Sequence, residues 1–201
     1  MLPREEQDMS IRSLSGVLTL VVVCGFAPPG WADTPTETVK YMVESVRSYK
    51  NGSQNDNVQV RKITEETLAI QDLAEHVLGP QWKKISATER QDFVQLLRDL
   101  VQKVAYPKSA EFFGDLQIDY TDERVNGNEA MVETVVSHPK EGQVTIEYRL
   151  REKKGQWVID DILLDDVSLV TNLRTQMQQV IARESYQELV KRMREKLEEE
   201  S

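Results

Sequence analysis

Apolar residues recur every three to four positions through the first half of the chain after residue 33, a pattern that predicts amphipathic helices. Residues 34–37 (Thr-Pro-Thr-Glu) form a capping-box sequence that begins the first helix, and the polar stretch 51–57 ends it. A second helical pattern covers 58–79, where a glycine precedes a proline. A third begins at the capping box 86–89 and is predicted to end at the Tyr-Pro pair 106–107.

The period of the apolar residues changes to two after Gly114, which predicts β-strands. The predicted strands begin at Leu116 and then cover 130–137, 143–151 and 156–164. Short links between them favour antiparallel neighbours. Helical spacing returns after residues 165–166, and a third capping box at 185–188 begins a last helix. We therefore predict an α+β domain, in which an antiparallel sheet of about four strands is covered by N- and C-terminal helices.

The N-terminal segment differs from the rest of the chain. Residues 14–26 form an uncharged apolar run that follows an arginine and leads into a segment rich in small residues and proline. This order is that of a cleavable export signal. The run is shorter than the roughly 20 residues that a membrane-spanning helix needs. We predict a signal peptide over residues 1–32 and a mature domain over 33–201, with Met9 as an alternative start.

Charge and cysteine content limit the partners and the chemistry of this domain. The chain of 201 residues has a net charge of −9, and without residues 1–32 it retains 23 basic and 31 acidic residues, a net charge of −8. An acidic surface disfavours nucleic acid and anionic membrane surfaces as bulk partners. The single cysteine, Cys24, lies in the predicted signal, so the mature domain has no disulfide and no thiol nucleophile. Val23 stands where lipid attachment to Cys24 would need a small residue, so lipidation is not predicted.

Few side chains of the mature domain suit catalysis or metal binding. His76 lies beside an apolar helix face and His138 precedes a proline, and both are interpreted as surface or partly buried residues. Four carboxylates cluster at the end of the last predicted strand: Asp160, Asp161, Asp165 and Asp166. Their spacing is not that of a calcium-binding loop, and adjacent strand residues point to opposite faces. We interpret them as caps of the following helix and predict no metal site.

One face of the predicted sheet is apolar. Its residues are Val144, Ile146, Tyr148 and Leu150 on one strand and Trp157 and Ile159 on the next. A packed core and an apolar cavity need the same residue types, so the pattern leaves both possibilities open.

Three segments together resemble a known family. The first segment begins with Val77-Leu78-Gly79 and Trp82 and continues through a Ser/Thr-rich cap, Arg90, Phe93 and an aliphatic stripe to Tyr106. The second consists of residues 146–150 and 155–161. The third consists of residues 167–172 and Arg174. In this order they resemble the MlaC family, periplasmic phospholipid-binding proteins that are also called toluene-tolerance auxiliary components of an ABC transporter. Two positions depart from the family pattern: Asp166 stands where a glycine is usual, and Ile159 where an aromatic residue is usual.

The resemblance implies an NTF2-like fold with a deep apolar cavity that takes the acyl chains of a phospholipid. It also implies that the protein shuttles lipid between an outer-membrane lipoprotein complex and an inner-membrane ABC transporter with its substrate-binding ring, and so maintains outer-membrane lipid asymmetry. Phospholipid is then the ligand, no cofactor or catalytic group is needed, and we expect a monomer.

Within this hypothesis, eight apolar residues near the junction of helices and sheet are candidates for the cavity wall: Leu97, Val101, Tyr106, Tyr148, Trp157, Ile159, Ile162 and Leu169. Arg149 and Arg174 are weaker candidates for contact with a lipid head group or a protein partner. Two alternatives remain open. One is an NTF2-like enzyme with a polar cavity that uses Asp160 or Asp161, and the other is a transporter adaptor that binds protein but no lipid.

Overall fold

The computed structural model describes residues 34–49, 58, 62–63, 65–114, 116–139 and 142–200, and the predicted signal peptide lies outside them. The helices are α1 (Pro35–Ser48), α2 (Ile70–Leu78), α3 (Ala87–Leu100), α4 (Tyr106–Phe113), α5 (Leu169–Arg183) and α6 (Tyr186–Glu199). A 3₁₀ segment, Gly79–Lys83, follows α2, and a π-helical segment, Val101–Ala105, joins α3 to α4. The strands are β1 (Gln117–Asn126), β2 (Glu129–His138), β3 (Gly142–Lys153), β4 (Gln156–Leu164) and β5 (Val167–Ser168).

The five strands form one antiparallel sheet in the order β1-β2-β3-β4-β5. The predicted α+β class and antiparallel sheet are confirmed. The fifth strand, β5, has two residues, too few for the alternation of apolar and polar residues to show. It pairs with the end of β4 across a tight turn formed by Asp165 and Asp166.

Capping residues begin three helices where the sequence predicted. At α1, Thr34 Oγ1 accepts a hydrogen bond from Glu37 N at 3.2 Å, and the Glu37 carboxylate accepts one from Thr34 N at 3.1 Å. The box 86–89 at α3 is equally complete. At α6, Ser185 Oγ accepts from Glu188 N at 3.0 Å, whereas the Glu188 carboxylate pairs with an arginine one turn later. Each such cap stabilises a helix by about 1 kcal/mol.

The helix predicted over 58–79 is interrupted. Leu68 forms a parallel bridge with Ile159 of β4, and Ala69 N donates to the Ile159 carbonyl at 3.4 Å, so α2 begins only at Ile70. A pairing with a strand 90 residues away along the chain overrides the local helical pattern here.

The helix that begins at residue 87 does not end at 106–107, so that prediction was wrong. It continues through the π-helical segment into α4, where Pro107 occupies the first turn. A proline has no N–H and clashes with the carbonyl four residues before it. The wider turn directly ahead of Pro107 changes the position of that carbonyl, which lets the chain stay helical.

Buried apolar residues form two main cores. The helical core lies between α2, α3, α5 and α6 and includes Val77, Leu78, Phe93 and Leu97. The second core, which we name the sheet interior, lies between α1 and one face of β1–β4. Leu68 packs against both. A small cluster around Val46 of α1 and Tyr106 of α4 adjoins the sheet interior through Phe113. None of the described helices is both long and apolar enough to cross a membrane.

Candidate functional site

Strand alternation gives the sheet interior its apolar wall. On β2 the residues Val132, Thr134 and Val136 are fully buried, and their partners in the register are Tyr148, Ile146 and Val144 of β3. Because residues two apart on a strand share a face, these side chains form adjacent rows on the inner face of the sheet. The apolar face that the sequence predicted on β3 is confirmed.

Helix α1 covers this wall. Its residues Val39, Met42 and Val43 are at most 5% exposed and pack directly against the inner face of the sheet. Polar contacts hold α1 to the sheet near its two ends: Thr36 N donates to the Glu123 carboxylate at 2.8 Å, and Arg47 donates to the Leu116 carbonyl. Between these ends, apolar side chains of α1 pack on the sheet, and the Lys40 ammonium lies over the ring of Tyr120 of β1.

Six of the eight predicted cavity residues lie in or next to the sheet interior. Tyr148 and Ile159 are buried in it, and Trp157 and Ile162 pack against it. Tyr106 is buried in the adjoining α1–α4 cluster, which Val101 contacts.

The other two predicted cavity residues lie elsewhere. Leu97 is buried in the helical core, and Leu169 is 41% exposed at the start of α5. Whether any of the eight residues contacts a ligand remains a prediction.

Hydroxyl groups interrupt the apolar wall. Thr134 is fully buried, and its Oγ1 donates to the Ile146 carbonyl at 3.1 Å. The Tyr148 hydroxyl is buried and forms no hydrogen bond of standard geometry with any described residue. Burial raises the pKa of Tyr148, and the Tyr120 phenol raises it further, whereas hydrogen bonding with the nearby Thr134 hydroxyl and the charge of Arg47 lower it. At neutral pH the Tyr148 phenol is therefore protonated and is a potential donor.

Sequence reasoning missed Thr134 and Tyr120 as parts of this site. Thr134 lies two residues from Val132 and two from Val136, and burial alternates along β2, so the period of two places its hydroxyl on the inner face. Tyr120 is half-buried, and the Lys40 ammonium lies 5.0 Å from the centre of its ring.

A concave site, which we name the outer groove, has a volume of about 810 Å³ and is lined by residues of α2, β1–β4 and the start of α5. Both Asp160 and Asp161 line it. The expectation that they point to opposite faces was wrong. The register between β3 and β4 shifts next to Asp160, and such an irregularity redirects a side chain.

Asp160 and Asp161 already have structural partners in the outer groove. Asp160 accepts a hydrogen bond from Arg151 at 2.8 Å, and the same guanidinium contacts Asp72 at 3.1 Å. Asp161 accepts from Ser168 Oγ at 2.6 Å and from Val170 N at 3.2 Å, so it caps the start of α5. The prediction that these carboxylates cap the following helix is confirmed for Asp161.

The two predicted arginines lie in different surroundings. Arg149 is exposed in the outer groove and forms no ion pair with any described residue. Arg174 Nη1 lies 3.5 Å from His76 Nε2. Arg174 also packs over Gly79, whose φ is +49° and where an added Cβ would lie 3.2 Å from Arg174 Nη2. Their contact with a head group or partner stays a prediction.

The described residues contain no group of three or more His, Cys, Asp or Glu side chains that could hold a metal ion. His138 is the last residue of β2, and His76 is exposed on α2.

Known proteins resemble this chain in sequence pattern and in fold. A phospholipid-binding protein from Ralstonia solanacearum, solved in complex with a phospholipid, superposes with a TM-score of 0.65 at 15% sequence identity, over 82% of this chain and 94% of that one. At this identity the likeness shows a shared fold. No curated protein matches the chain. The MlaC protein family matches residues 33–195, most of the length, and the chain therefore belongs to the MlaC family.

Proposed function

We propose that this protein binds a phospholipid and carries it through the periplasm. The sheet interior supports this proposal most directly, because it is an apolar wall of four strands, β1–β4, on which helix α1 packs. The fold is shared with a protein whose structure contains a phospholipid, which supports the same ligand here. We infer that the acyl chains enter between α1 and the sheet, while the head group stays near the surface.

The energetics of lipid solubility explain why such an interior suits a carrier. Exposing a lipid chain to water costs about 0.8 kcal/mol for each CH₂ group. Two chains of about 16 carbons each would thus cost on the order of 25 kcal/mol. A carrier without a membrane anchor has to bury most of that surface, and aliphatic and aromatic side chains do so without leaving polar groups unpaired.

We further propose that the lipid moves between an outer-membrane lipoprotein complex and an inner-membrane ABC transporter with its substrate-binding ring, which maintains outer-membrane lipid asymmetry. Family membership and the predicted signal peptide of residues 1–32 support this location, and the family match begins at residue 33. The acidic surface agrees with a carrier that is not retained on anionic membranes.

The proposed function needs no catalytic residue. In the alternative enzyme, Asp160 or Asp161 would have to act as an acid or base. Instead, Asp160 is paired with Arg151 and Asp161 caps α5. These roles support a binding protein.

Native mass spectrometry of protein isolated from a Gram-negative periplasm tests the proposal. We expect a bound phospholipid after gentle purification, and uptake of labelled phospholipid from liposomes after delipidation. Protein that carries no lipid and takes up none would contradict the carrier function and would favour a transporter adaptor.

A further inference from the structure

Three hydroxyl groups lie next to one another on the inner face of the sheet. Tyr120 of β1 is directly opposite Thr134 of β2. Thr134 is opposite Ile146 of β3, and Tyr148 is two residues further along the same strand. Tyr148 is therefore the diagonal neighbour of Thr134 on the same face. We name these three residues the hydroxyl row. It lies across an otherwise apolar wall.

The Tyr148 hydroxyl stands out in this row because the protein leaves it unsatisfied. The residue is 1% exposed, and its hydroxyl forms no hydrogen bond of standard geometry with any described residue, although the Thr134 hydroxyl lies near enough to lower the Tyr148 pKa by hydrogen bonding. Thr134, by contrast, donates to a backbone carbonyl at 3.1 Å. Most buried polar side-chain atoms in folded proteins are paired, so an unpaired one calls for an explanation. If the interior of the proposed carrier only had to be apolar, phenylalanine would suffice at position 148, and the hydroxyl group would have no role.

The chemistry of the hydroxyl row indicates which group of a bound lipid can accept a hydrogen bond from Tyr148. Burial raises the pKa of Tyr148, so its hydroxyl remains a neutral donor. Two cations lie near the hydroxyl row. The Arg47 guanidinium already donates to the Leu116 carbonyl and lies 3.5 Å from Glu44, and the ammonium of the exposed Lys40 lies 5.0 Å from the centre of the Tyr120 ring. A phosphate at the depth of Tyr148 would lose its hydration, while Arg47 is already paired and Lys40 lies at the surface, so its burial there is unfavourable. A neutral carbonyl loses far less hydration, and in an acyl glycerolipid it is attached directly to the acyl chain.

We propose that Tyr148 donates a hydrogen bond to an ester carbonyl of the bound acyl glycerolipid. The hydroxyl row thereby fixes how deep the lipid enters: the chains lie beyond the row in the apolar interior, and the head group remains on the solvent side. This inference rests on the proposed phospholipid-binding function and adds a specific contact to it.

A competition between ester and ether lipids tests the contact. Delipidated protein is incubated with vesicles containing equal amounts of a diacyl phosphatidylcholine and its dialkyl ether analogue with the same chain lengths. Bound lipid is then counted by native mass spectrometry. A neutral hydrogen bond corresponds to about three- to tenfold in binding. We expect the wild type to prefer the ester lipid by that factor and Tyr148→Phe to bind both lipids equally.

The matched control is Tyr41→Phe, since Tyr41 of α1 donates to the Glu66 carboxylate at 3.4 Å and is not part of the sheet interior. This variant should keep the ester preference. Infrared spectra of lipid labelled with ¹³C at the ester carbonyl give an independent readout. The carbonyl band should lie at lower frequency in the wild type than in Tyr148→Phe. Circular dichroism and thermal unfolding check the fold, and Tyr148→Phe should be at least as stable as the wild type without lipid.

The outcomes separate this inference from the function on which it rests. Equal uptake of ester and ether lipid by the wild type, or an unchanged preference in Tyr148→Phe, would overturn the proposed contact while leaving the carrier function intact. Uptake of neither lipid by the wild type would overturn the carrier function and the contact together.

Discussion

Single residues with unusual backbone conformations mark the turns that shape the sheet. Asp165 and Asp166 have φ values of +46° and +66° and join β4 to β5. Asp165 N donates to the Thr145 carbonyl at 3.1 Å, which ties the turn to β3. A left-handed φ costs an ordinary side chain roughly 1 kcal/mol, and aspartate tolerates it better than most residues. The family's usual glycine at position 166 has a physical reason, because glycine adopts this conformation without the steric cost.

Replacing Asp166 by glycine should therefore stabilise the fold. We expect Asp166→Gly to raise the free energy of unfolding by about 0.5 kcal/mol, since the relief of steric strain exceeds the added entropy of the unfolded chain. Urea unfolding followed by circular dichroism measures the change.

Glu152→Gly is the matched control for this effect. Glu152 is an exposed residue of β3 without a positive φ, so glycine there should lower stability by about 0.5–1 kcal/mol. If Asp166→Gly loses as much stability as Glu152→Gly, the backbone at position 166 is not strained by its aspartate.

At the scale of elements, the long helical stretch from α3 to α4 shows how a proline is accommodated. The π-helical segment Val101–Ala105 directly precedes α4, and Pro107 is the second residue of α4. In a regular α-helix interior a proline would cost about 3 kcal/mol, because its ring clashes with the carbonyl four residues before it. Here that carbonyl belongs to the π-helical segment, whose wider turn accommodates the ring. The position of Pro107 thus predicts how its replacement behaves.

We expect Pro107→Ala to change the free energy of unfolding by less than about 1 kcal/mol, because the π-helical segment ahead of it already accommodates the proline ring. Ala110→Pro, in the body of the same helix, should destabilise by about 3 kcal/mol or more. Chemical unfolding of both variants provides the measurement. A rise of about 3 kcal/mol in the free energy of unfolding of Pro107→Ala would mean that the proline strains the helix.

Helices α4 and α6 are joined by ion pairs at the C-terminal end of the chain. Glu200 lies 2.8 Å from Lys108 of α4 and 2.8 Å from Lys196 of α6. Hydrogen bonds to Lys108 and then to Lys196 lower the pKa of Glu200 from 4.5 to about 2. Because the pKa is lower in the folded state, these contacts stabilise the fold fully above about pH 4.5 and are lost as the pH falls toward 2.

Titration of the Glu200 carboxylate by NMR should give a midpoint well below 4.5 at low salt. Added salt should move the midpoint upward, because screening weakens exposed ion pairs. Lys108→Met should move it in the same direction. An identical midpoint in the wild type and in Lys108→Met would show that the pair does not form in solution.

At the scale of the whole molecule, the helical core and the sheet interior have different packing and different proposed roles. The helical core packs α2, α3, α5 and α6 together, whereas α1, with Phe113 of α4 and Leu68, packs on the inner face of the sheet. We infer that the helical core supplies rigidity and that the sheet interior adapts to a ligand. Leu97, which the sequence suggested for the cavity wall, is buried in the helical core and allows this division to be tested.

Leu97→Ala should lower the free energy of unfolding by about 2–5 kcal/mol, the usual cost of a large cavity in a core, and leave lipid uptake from liposomes unchanged. Val132→Phe, in the sheet interior, should reduce uptake because the larger ring occupies space that acyl chains need. Thermal unfolding and uptake are measured on the same samples. Reduced uptake by Leu97→Ala at a temperature where it remains folded would place the lipid site in the helical core.

Local patterns predicted most elements because helices and strands differ in the spacing of apolar residues, and caps are short-range contacts. The capping residues Thr34 and Ser86 and the inner-face residues Ile146 and Tyr148 were predicted for this reason. The break at Leu68 was not, because it depends on a bridge to a strand far along the chain.

The sequence by itself determined the order of most elements, the acidic charge, the apolar inner face and the resemblance that family membership bears out. Only the tertiary structure decided that Asp160 and Asp161 share one groove, that Leu97 belongs to the helical core, and that the Tyr148 hydroxyl is buried without a hydrogen bond of standard geometry. Spacing along a chain records which face a residue occupies. Which element covers that face, and which polar atoms it leaves unpaired, depends on register and packing between distant segments.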